Sequence, residues 1–167
     1  DLIRHGWSPS KVSVVWNGVD PERYNMAKCP PKEVAAIREK YGVPKDWNML
    51  LFVGRLSWVK GVRNLLLAMP SVLKEYPNTI LVILGKGEEQ RDIVETADRL
   101  NIKSNIVYRF DFVPETERIM HYAASDVCIF PSTYEPFGIV CLEAMAMEKP
   151  VVVGAHGVVG FREQVLS

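Results

Sequence analysis

The sequence has no excess of charge of either sign. Its 167 residues include 20 basic and 20 acidic side chains, so the formal net charge is zero. Proteins that bind nucleic acid or an anionic membrane carry a basic excess, and this balance argues against both kinds of partner. Long apolar runs are also missing, since none approaches the roughly 20 residues that span a bilayer. The chain opens at Asp1 without a signal-peptide pattern, and we expect a cytoplasmic protein.

Cysteine and histidine are scarce, with three of each. The cysteines form no C-x-x-C motif and cannot all pair, which favours buried free thiols in a reducing compartment. The histidines show no metal-ligand spacing, which argues against a zinc site. The chain also lacks the G-x-x-x-x-G-K-[ST] loop and the G-x-S-x-G elbow, so neither a P-loop enzyme nor a hydrolase is supported. The residues concerned are Cys29, Cys128, Cys141, His5, His121 and His156.

Short apolar runs of strand length recur along the chain. They are continuous rather than alternating, which is typical of parallel strands buried on both faces. Helical segments lie between them, and this order predicts a Rossmann-like, doubly wound α/β fold with a parallel sheet of about six strands. We expect residues 1–167 to form a single domain. The predicted strands are Val12–Trp16, Met49–Val53, Ile80–Leu84, Ile106–Phe110, Val127–Phe130 and Val151–Val153.

The helical segments show the 3.6-residue spacing of amphipathic helices, most clearly in Val62–Glu75. Pro70 lies inside that stripe and is expected to kink or break the helix. Gly42 follows another segment at the position of a C′ glycine. The other helices are predicted at Glu33–Tyr41, Glu88–Leu100, Thr116–Ala124 and Gly138–Glu148.

Charged and small residues follow the predicted strands, at the edge where open α/β sheets bind ligands. Arg55 and Lys60 lie in a glycine-flanked loop just ahead of the helix that begins near Val62. A helix N-terminus with two added cations suits a dianion such as a diphosphate. Two solvated basic residues on a loop are the alternative.

Two glutamates, Glu135 and Glu143, are separated by seven residues. Eight helical steps put them about 12 Å apart along the axis, which favours two contacts on an elongated ligand over a tight acid/base pair. Glu143 shares an inward-facing stripe and therefore needs a partner. The alternatives are a helix-start acid at Glu135 and a helix-flank residue at Glu143.

The turn at Gly85-Lys86-Gly87 is a weak signal. A dinucleotide fingerprint needs a third glycine, and Glu88 and Glu89 would repel a pyrophosphate here. A glycine turn that a nucleoside approaches and a plain left-handed turn both remain open. His156 lies in the predicted crevice, where a surface loop histidine is the simpler interpretation.

Several motifs together resemble a known family. They are Val15–Asp20, Phe52–Leu56, Lys60-Gly61, Leu84–Gly87, Phe130–Ser132, Glu135–Gly138 and Leu142–Ala144. The chain resembles the C-terminal, nucleotide-sugar-binding domain of the retaining glycosyltransferases of family 4, which have the two-domain GT-B fold. Its motifs look most like those of the archaeal glycogen- and starch-synthase-like members.

The resemblance implies catalytic roles for Arg55, Lys60 and Glu135. The two cations would hold the donor diphosphate and stabilise the leaving group, and Glu135 would lie beside the donor sugar. No metal or other cofactor is implied, because Arg, Lys and a helix N-terminus replace a divalent ion. Glu143 would hold the ribose. The remaining implied donor-binding residues are Gly54, Gly85, Phe112, Val113, Pro136, Phe137, Gly138 and Ile139.

Two departures from the family pattern stand out. Many members carry a Gly-Gly-x-x-Glu turn after the last strand, where this chain has Ala155–Glu163, and Glu163 is a possible replacement for that glutamate. The chain also starts without Met and stops inside a helical pattern at Phe161–Leu166. We therefore expect a fragment without the N-terminal domain that would bind a glycan acceptor, able to bind donor but catalytically incomplete.

The implied function is transfer of a hexose from a nucleoside-diphosphate sugar, ADP- or UDP-glucose, to a glycan, as in glycogen or starch synthesis. Two other interpretations remain. One is a GT-B epimerase or phosphorylase domain, although no lysine for pyridoxal phosphate is evident. The other is a non-catalytic α/β module that binds a nucleotide or a partner protein.

Overall fold

The centre of the fold is a parallel sheet. A computed structural model describes residues 2–154 and 158–165, with the backbone alone at residues 158–159 and 162–163. Within these residues the main sheet has five strands in the order β3-β2-β1-β4-β6. A second, two-stranded sheet pairs β5 with β7. The strands are β1 (Asn48–Val53), β2 (Thr79–Leu84), β3 (Ile106–Arg109), β4 (Val127–Phe130), β5 (Tyr134–Glu135), β6 (Val151–Val153) and β7 (Val158–Val159).

The expected doubly wound architecture is confirmed, with helices on both faces of the sheet. On one face pack α2 (Val62–Glu75) and α3 (Gln90–Arg99). The other face carries α1 (Pro31–Lys40), α4 (Glu115–Ala124) and α5 (Ile139–Ala146). Alternate residues of β2 enter opposite cores, which is why its sequence is apolar after Thr79.

The strand order places a ligand crevice between β1 and β4. The chain adds β2 and β3 on one side of β1 and then crosses to the other side to form β4 and β6. Adjacent loops diverge at such a reversal and leave a crevice outside the carboxyl ends of the strands. The loops after β1 and β4 therefore border the expected site.

The predicted strand at Val12–Trp16 is wrong. This run has no regular secondary structure, and Val14, Val15 and Trp16 are 74%, 89% and 81% exposed. An apolar run becomes a strand only when a neighbouring strand takes its backbone hydrogen bonds, and no described strand lies beside it. The helix expected at Phe161–Leu166 is also shorter, a 3₁₀ turn at Gly160–Glu163.

Of the kink or break expected at Pro70, the break does not occur, because α2 runs through Pro70 to Glu75. Pro70 is exposed, and buried Leu66 and Met69 before it hold the helix on the sheet. Gly42 does have the left-handed conformation expected of a C′ glycine, with φ of 63°.

The three cysteines are buried and free, as expected from their spacing. Burial raises the pKa of both Cys128 and Cys141 to about 11. These thiols are therefore protonated packing residues rather than nucleophiles.

A polar contact joins α1, β3 and α4. Arg109 at the end of β3 hydrogen-bonds the carboxylate of Glu117, which also accepts from Lys40 at 3.1 Å. His121 is fully buried beside this contact and donates through Nδ1 to the carbonyl of Glu117 at 2.7 Å. Its Nε2 lies 2.7 Å from the hydroxyl of Tyr41. A neutral ring, accepting at Nε2 from the tyrosine, satisfies both partners.

Acid is expected to weaken this contact. The hydrogen bond from Arg109 lowers the pKa of Glu117 from 4.5 to about 2, so its stabilisation is complete above pH 4.5 and is lost towards pH 2. Burial lowers the pKa of His121, which adds a loss that begins as the pH falls through 6.5. Between about pH 5 and pH 3, the free energy of unfolding of the wild type should fall by about 1 kcal/mol more than that of Glu117→Gln. Urea unfolding of both proteins at both pH values measures this difference. The same fall in both proteins would contradict the prediction.

Candidate functional site

Two adjoining cavities open at the carboxyl ends of the strands. The first, between β1 and β4, has a volume of about 280 Å³. The second, between β1 and β2, has a volume of about 340 Å³. They share Val53, Gly54 and Arg55, which end β1 and begin the next loop. Together they form one elongated depression along the crevice predicted by the strand order.

An ion pair lies in the β1–β4 cavity. Lys60, at the end of a 3₁₀ turn after β1, contacts the carboxylate of Glu135 in β5. Their side chains are only 20% and 9% exposed. Removing either charge of a buried pair leaves the other charge buried and unpaired, which strongly destabilises the folded protein. A ligand that brings an anion to Lys60 and hydroxyl groups to Glu135 can satisfy both groups in place of the pair.

Backbone contacts fix the loop that carries Lys60. The amide of Thr133 donates to the carbonyl of Val59 at 2.8 Å. A Cβ on Gly61 would lie 2.2 Å from the carbonyl oxygen of Pro131, so the loop after β1 lies directly against the segment after β4. Gly61 has φ of 69°, a conformation that favours glycine.

Helix α5 begins at this depression and α2 begins just beyond Lys60, both without a capping side chain. Helix α2 begins after Gly61, and α5 begins after Gly138, which has φ of 84°. Gly138 and Ile139 line the β1–β4 cavity together with Arg55 and Lys60. Free N–H groups and the helix dipole add to the two cations, so this end of the depression suits an anion.

The β1–β2 cavity is shaped by a close approach of two loops. A Cβ on Gly85 would lie 1.8 Å from the carbonyl oxygen of Gly54, and φ of Gly85 is 150°. This glycine is therefore needed for loop packing, and its φ differs from that of the left-handed turn considered for it. Phe112, which is 73% exposed, borders the cavity beside buried Val113. An exposed aromatic ring on a concave surface offers a flat face to a ligand.

Glu143 lies behind the β1–β2 cavity in a buried polar cluster. Its carboxylate accepts from the hydroxyls of Tyr24 and Tyr122 at 2.9 and 2.8 Å. Arg118 donates to it through Nε at 3.2 Å and Nη2 at 3.1 Å. The predicted need for a partner on this inward face is thus met. Burial raises the pKa of Tyr122 well above its usual value, so its hydroxyl stays a donor.

Residues 33–166 match the family described as glycosyl transferases group 1. The chain belongs to this family. This glycosyltransferase domain is 39% identical over 147 residues to the uncharacterized glycosyltransferase MJ1607 of Methanocaldococcus jannaschii, covering 88% of the chain and 37% of that protein. It is 31% identical over 153 residues to a glycogen synthase of Mycobacterium tuberculosis, covering 90% and 33%.

The fold is that of a GT-B C-terminal domain, as the motifs indicated. Anabaena Alr3699/HepE in complex with UDP and glucose superposes with a TM-score of 0.80 at 27% identity, over 99% of this chain and 43% of that one. The glycosyltransferase domain spans roughly a third of the length of the curated relatives it matches.

The structure brings most of the predicted site residues of this glycosyltransferase domain together. Lining one or both cavities are Gly54, Arg55, Lys60, Gly85, Phe112, Val113, Glu135, Gly138 and Ile139. Three lie outside the cavity walls: Pro136, Phe137 and Glu143. Glu135 and Glu143 share no hydrogen-bond partner among the described residues, in keeping with two separate contacts rather than a pair.

Other predictions fall away from the two cavities or cannot be placed. His5 lies in an N-terminal 3₁₀ turn and His121 in the α1–α4 contact. His156 and the side chain of Glu163 lie outside the described residues. Across the described part of the chain no group of histidine, cysteine and acidic residues could hold a metal ion. No described helix has the length and hydropathy needed to cross a membrane.

Sequence reasoning missed the residues around Glu143. Tyr24, Arg118 and Tyr122 carry no motif of their own. The four-residue spacing of Arg118 and Tyr122 on α4 does place them on one helix face, a signal that could have identified a shared partner.

Proposed function

We propose that this chain is the donor-binding part of a retaining hexosyltransferase, which moves a sugar from a nucleoside-diphosphate sugar to a glycan. The buried Lys60–Glu135 pair in the β1–β4 cavity carries the proposal. In this pair a cation that can bind a phosphate lies beside a carboxylate that can accept hydrogen bonds from sugar hydroxyls. Anabaena Alr3699/HepE, whose fold is alike, is described with UDP and glucose bound.

The diphosphate is assigned to the part of the β1–β4 cavity that is lined by Arg55 and Lys60, just ahead of the start of α2. When the bond from the sugar to the diphosphate breaks, its electron pair stays on the phosphate oxygen. Cations and N–H groups already aimed at that oxygen stabilise the transition state more than the ground state. We expect no metal ion to be needed, because this wall supplies the positive charge.

The donor sugar is assigned to the β1–β4 cavity beside Glu135. Its hydroxyls are assigned to the backbone N–H groups of Phe137 and Gly138, just ahead of α5, of which Gly138 lines the cavity. A buried carboxylate in contact with Lys60 accepts hydrogen bonds from hydroxyls without needing a proton of its own. ADP- or UDP-glucose is the proposed donor.

The nucleoside is assigned to the β1–β2 cavity, on the far side of Arg55. Gly85 and Val113 leave room there, and the ring of Phe112 offers a face to a base. The ribose hydroxyls are assigned to Glu143, which lies behind this cavity. The elongated donor would thus lie along the depression, with its diphosphate beside Arg55, which lines both cavities.

The glycan acceptor is assigned to a part of the enzyme outside these 167 residues. The relatives are roughly two to three times as long as this chain, which leaves room for such a part. We therefore expect the chain alone to bind donor and to transfer little or no sugar.

Calorimetric titration of the chain with ADP, UDP and GDP, and then with their glucose conjugates, tests the proposal. We expect saturable binding of one nucleotide, and tighter binding of its sugar conjugate because Glu135 gains partners. Failure to bind any nucleotide would contradict the proposal and favour a non-catalytic module. A product assay on the full-length enzyme separates transfer from epimerisation and phosphorolysis.

A further inference from the structure

Ser132 is a buried polar residue in the wall of the β1–β4 cavity. It ends the motif Phe130–Ser132, two residues beyond the end of β4, and it lines the cavity together with Lys60 and Glu135. Only 3% of the residue is exposed. Burying a hydroxyl without a hydrogen-bond partner is unfavourable, and buried polar groups in folded proteins nearly always have one. The partner of this hydroxyl therefore bears on what the cavity binds.

The described part of the chain does not supply that partner. Among the residues that the structure describes, the hydroxyl of Ser132 takes part in no hydrogen bond. Ser125 shows the usual arrangement, since it is 2% exposed and its hydroxyl donates to the carbonyl of Tyr122 at 2.9 Å. Ser132 instead borders a cavity of about 280 Å³, in which a ligand could supply the missing partner.

The backbone on both sides of Ser132 is fixed by hydrogen bonds. The carbonyl of Phe130 accepts from the amide of Gly154 at 3.0 Å, and the amide of Thr133 donates to the carbonyl of Val59 at 2.8 Å. Ser132 is thus held between the segment that follows β1 and the segment that follows β6. A group that is already fixed loses little conformational freedom when a ligand binds, and this favours binding.

The chemistry of a hydroxyl suits a sugar better than a phosphate at this position. Ionised phosphate oxygens only accept hydrogen bonds, and Arg55 and Lys60 already supply donors for them from the loop after β1. Sugar hydroxyls both donate and accept. A sugar hydroxyl that donates to the carboxylate of Glu135 still has its own oxygen free to accept from Ser132, which lies three residues earlier in the same segment.

We propose that the hydroxyl of Ser132 binds a hydroxyl group of the donor sugar beside Glu135, and that it thereby favours the sugar conjugate over the free nucleotide. This inference rests on the proposed function, because it needs the sugar in the β1–β4 cavity. In the free protein a water molecule can bind at the same position, and the sugar hydroxyl then replaces it.

Calorimetric titration of Ser132→Ala with the tightest-binding nucleoside diphosphate, and with its glucose conjugate, tests the assignment. The variant should bind the conjugate about fivefold to tenfold more weakly than the wild type, which is the effect of one lost neutral hydrogen bond. Its affinity for the nucleoside diphosphate should stay within about twofold of wild type. Equal losses of both ligands would place the hydroxyl at the diphosphate, and no loss of either would remove it from the site. Both results overturn the inference.

Two other buried serines are the matched controls. Ser57→Ala removes a hydroxyl that is also buried without a hydrogen-bond partner among the described residues, but Ser57 lines neither cavity. It should leave the affinities for both ligands unchanged. Ser125→Ala removes the hydroxyl bonded to Tyr122 and should lower the urea midpoint with little effect on either affinity. If Ser57→Ala weakened binding of the conjugate as much as Ser132→Ala, the effect would not come from a contact in the cavity, and the inference would be wrong.

The urea midpoint separates a ligand contact from a structural role. Ser132→Ala removes no hydrogen bond between described residues, so its midpoint should match that of the wild type. A lower midpoint together with weaker binding of the conjugate would reduce Ser132 to a structural residue and overturn the inference.

Conjugates of monodeoxyglucoses identify the group that Ser132 binds. One of them, which lacks the hydroxyl that meets Ser132, should bind the wild type and Ser132→Ala with the same affinity. If the variant lost the same factor with every monodeoxy conjugate, the contact would not be to a sugar hydroxyl. A wild-type chain that binds the nucleotide and its conjugate equally overturns this inference and leaves the diphosphate assignment standing, while one that binds neither contradicts the proposed function itself.

Discussion

Replacing Lys60 with methionine is expected to lower the affinity for nucleoside diphosphates about 100-fold, equivalent to about 2.7 kcal/mol. Lys60 lies in the wall common to the proposed sugar and diphosphate positions, and its side chain is only 20% exposed. A charge-assisted contact to phosphate gains strength where water is largely excluded. Methionine keeps the length of the side chain, so the loss reports on charge rather than on packing.

The variant also affects Glu135, which must be separated from the effect on binding. The Glu135 side chain is 9% exposed in the pair, and removing one partner of a buried pair costs about 3–5 kcal/mol because the other charge is left unpaired. Lys60→Met/Glu135→Gln should recover most of that stability and none of the phosphate affinity. If affinity returned with stability, the phosphate role of Lys60 would be wrong.

Arg63→Met is the matched control for the loss of a cation. Arg63 stands in the first turn of α2, two residues from Gly61, but its side chain is 57% exposed and pairs loosely with Asp92 at 4.0 Å. It lines neither cavity. Exposed pairs contribute about 0–1 kcal/mol, so both stability and nucleotide affinity should change little. A loss as large as that of Lys60→Met would point to general electrostatic attraction in place of a specific site.

The sheet could be predicted because burial on both faces leaves a direct trace in the sequence. Every residue of β2 after Thr79 is apolar, and an unbroken apolar run of this length is typical of a central parallel strand. The same reasoning failed at Val12–Trp16, a mainly apolar run interrupted by Ser13 that has no described strand to pair with. The strand β5 was missed because it has only two residues and no apolar run. It is a strand only because Tyr134 pairs with Val158 of β7.

The site was predictable where it follows strand ends and unpredictable where it depends on helix packing. Arg55, Lys60 and Glu135 share a cavity because parallel strands end at one edge of the sheet. The partners of Glu143 come from α4 and from the segment before α1. No local sequence pattern predicts that either of these segments contacts α5. The structure was therefore needed to identify Arg118 as a partner of Glu143.

Gly61→Ala is expected to destabilise the domain strongly. A Cβ there would lie 2.2 Å from the carbonyl oxygen of Pro131, and φ of 69° is itself unfavourable for alanine. The neighbour is backbone at the end of β4, which cannot move aside like a flexible side chain. We expect the free energy of unfolding to fall by about 3 kcal/mol or more, from backbone strain and overpacking together. The displaced loop carries Lys60 away from Glu135, so nucleotide affinity should fall as well.

Two other glycines separate the conformational from the steric part of this cost. Gly42 has nearly the same backbone angle, with φ of 63°, but a Cβ there meets nothing within 4 Å. Gly42→Ala should therefore cost only the left-handed conformation, about 1 kcal/mol. Gly18 has neither the positive φ nor a close neighbour, and Gly18→Ala should stay within about 0.5 kcal/mol of wild type. Urea unfolding of the three variants measures the series. If Gly61→Ala cost no more than Gly42→Ala, the loop after β1 could move from Pro131 without strain, and the contact could not be what holds Lys60 against Glu135.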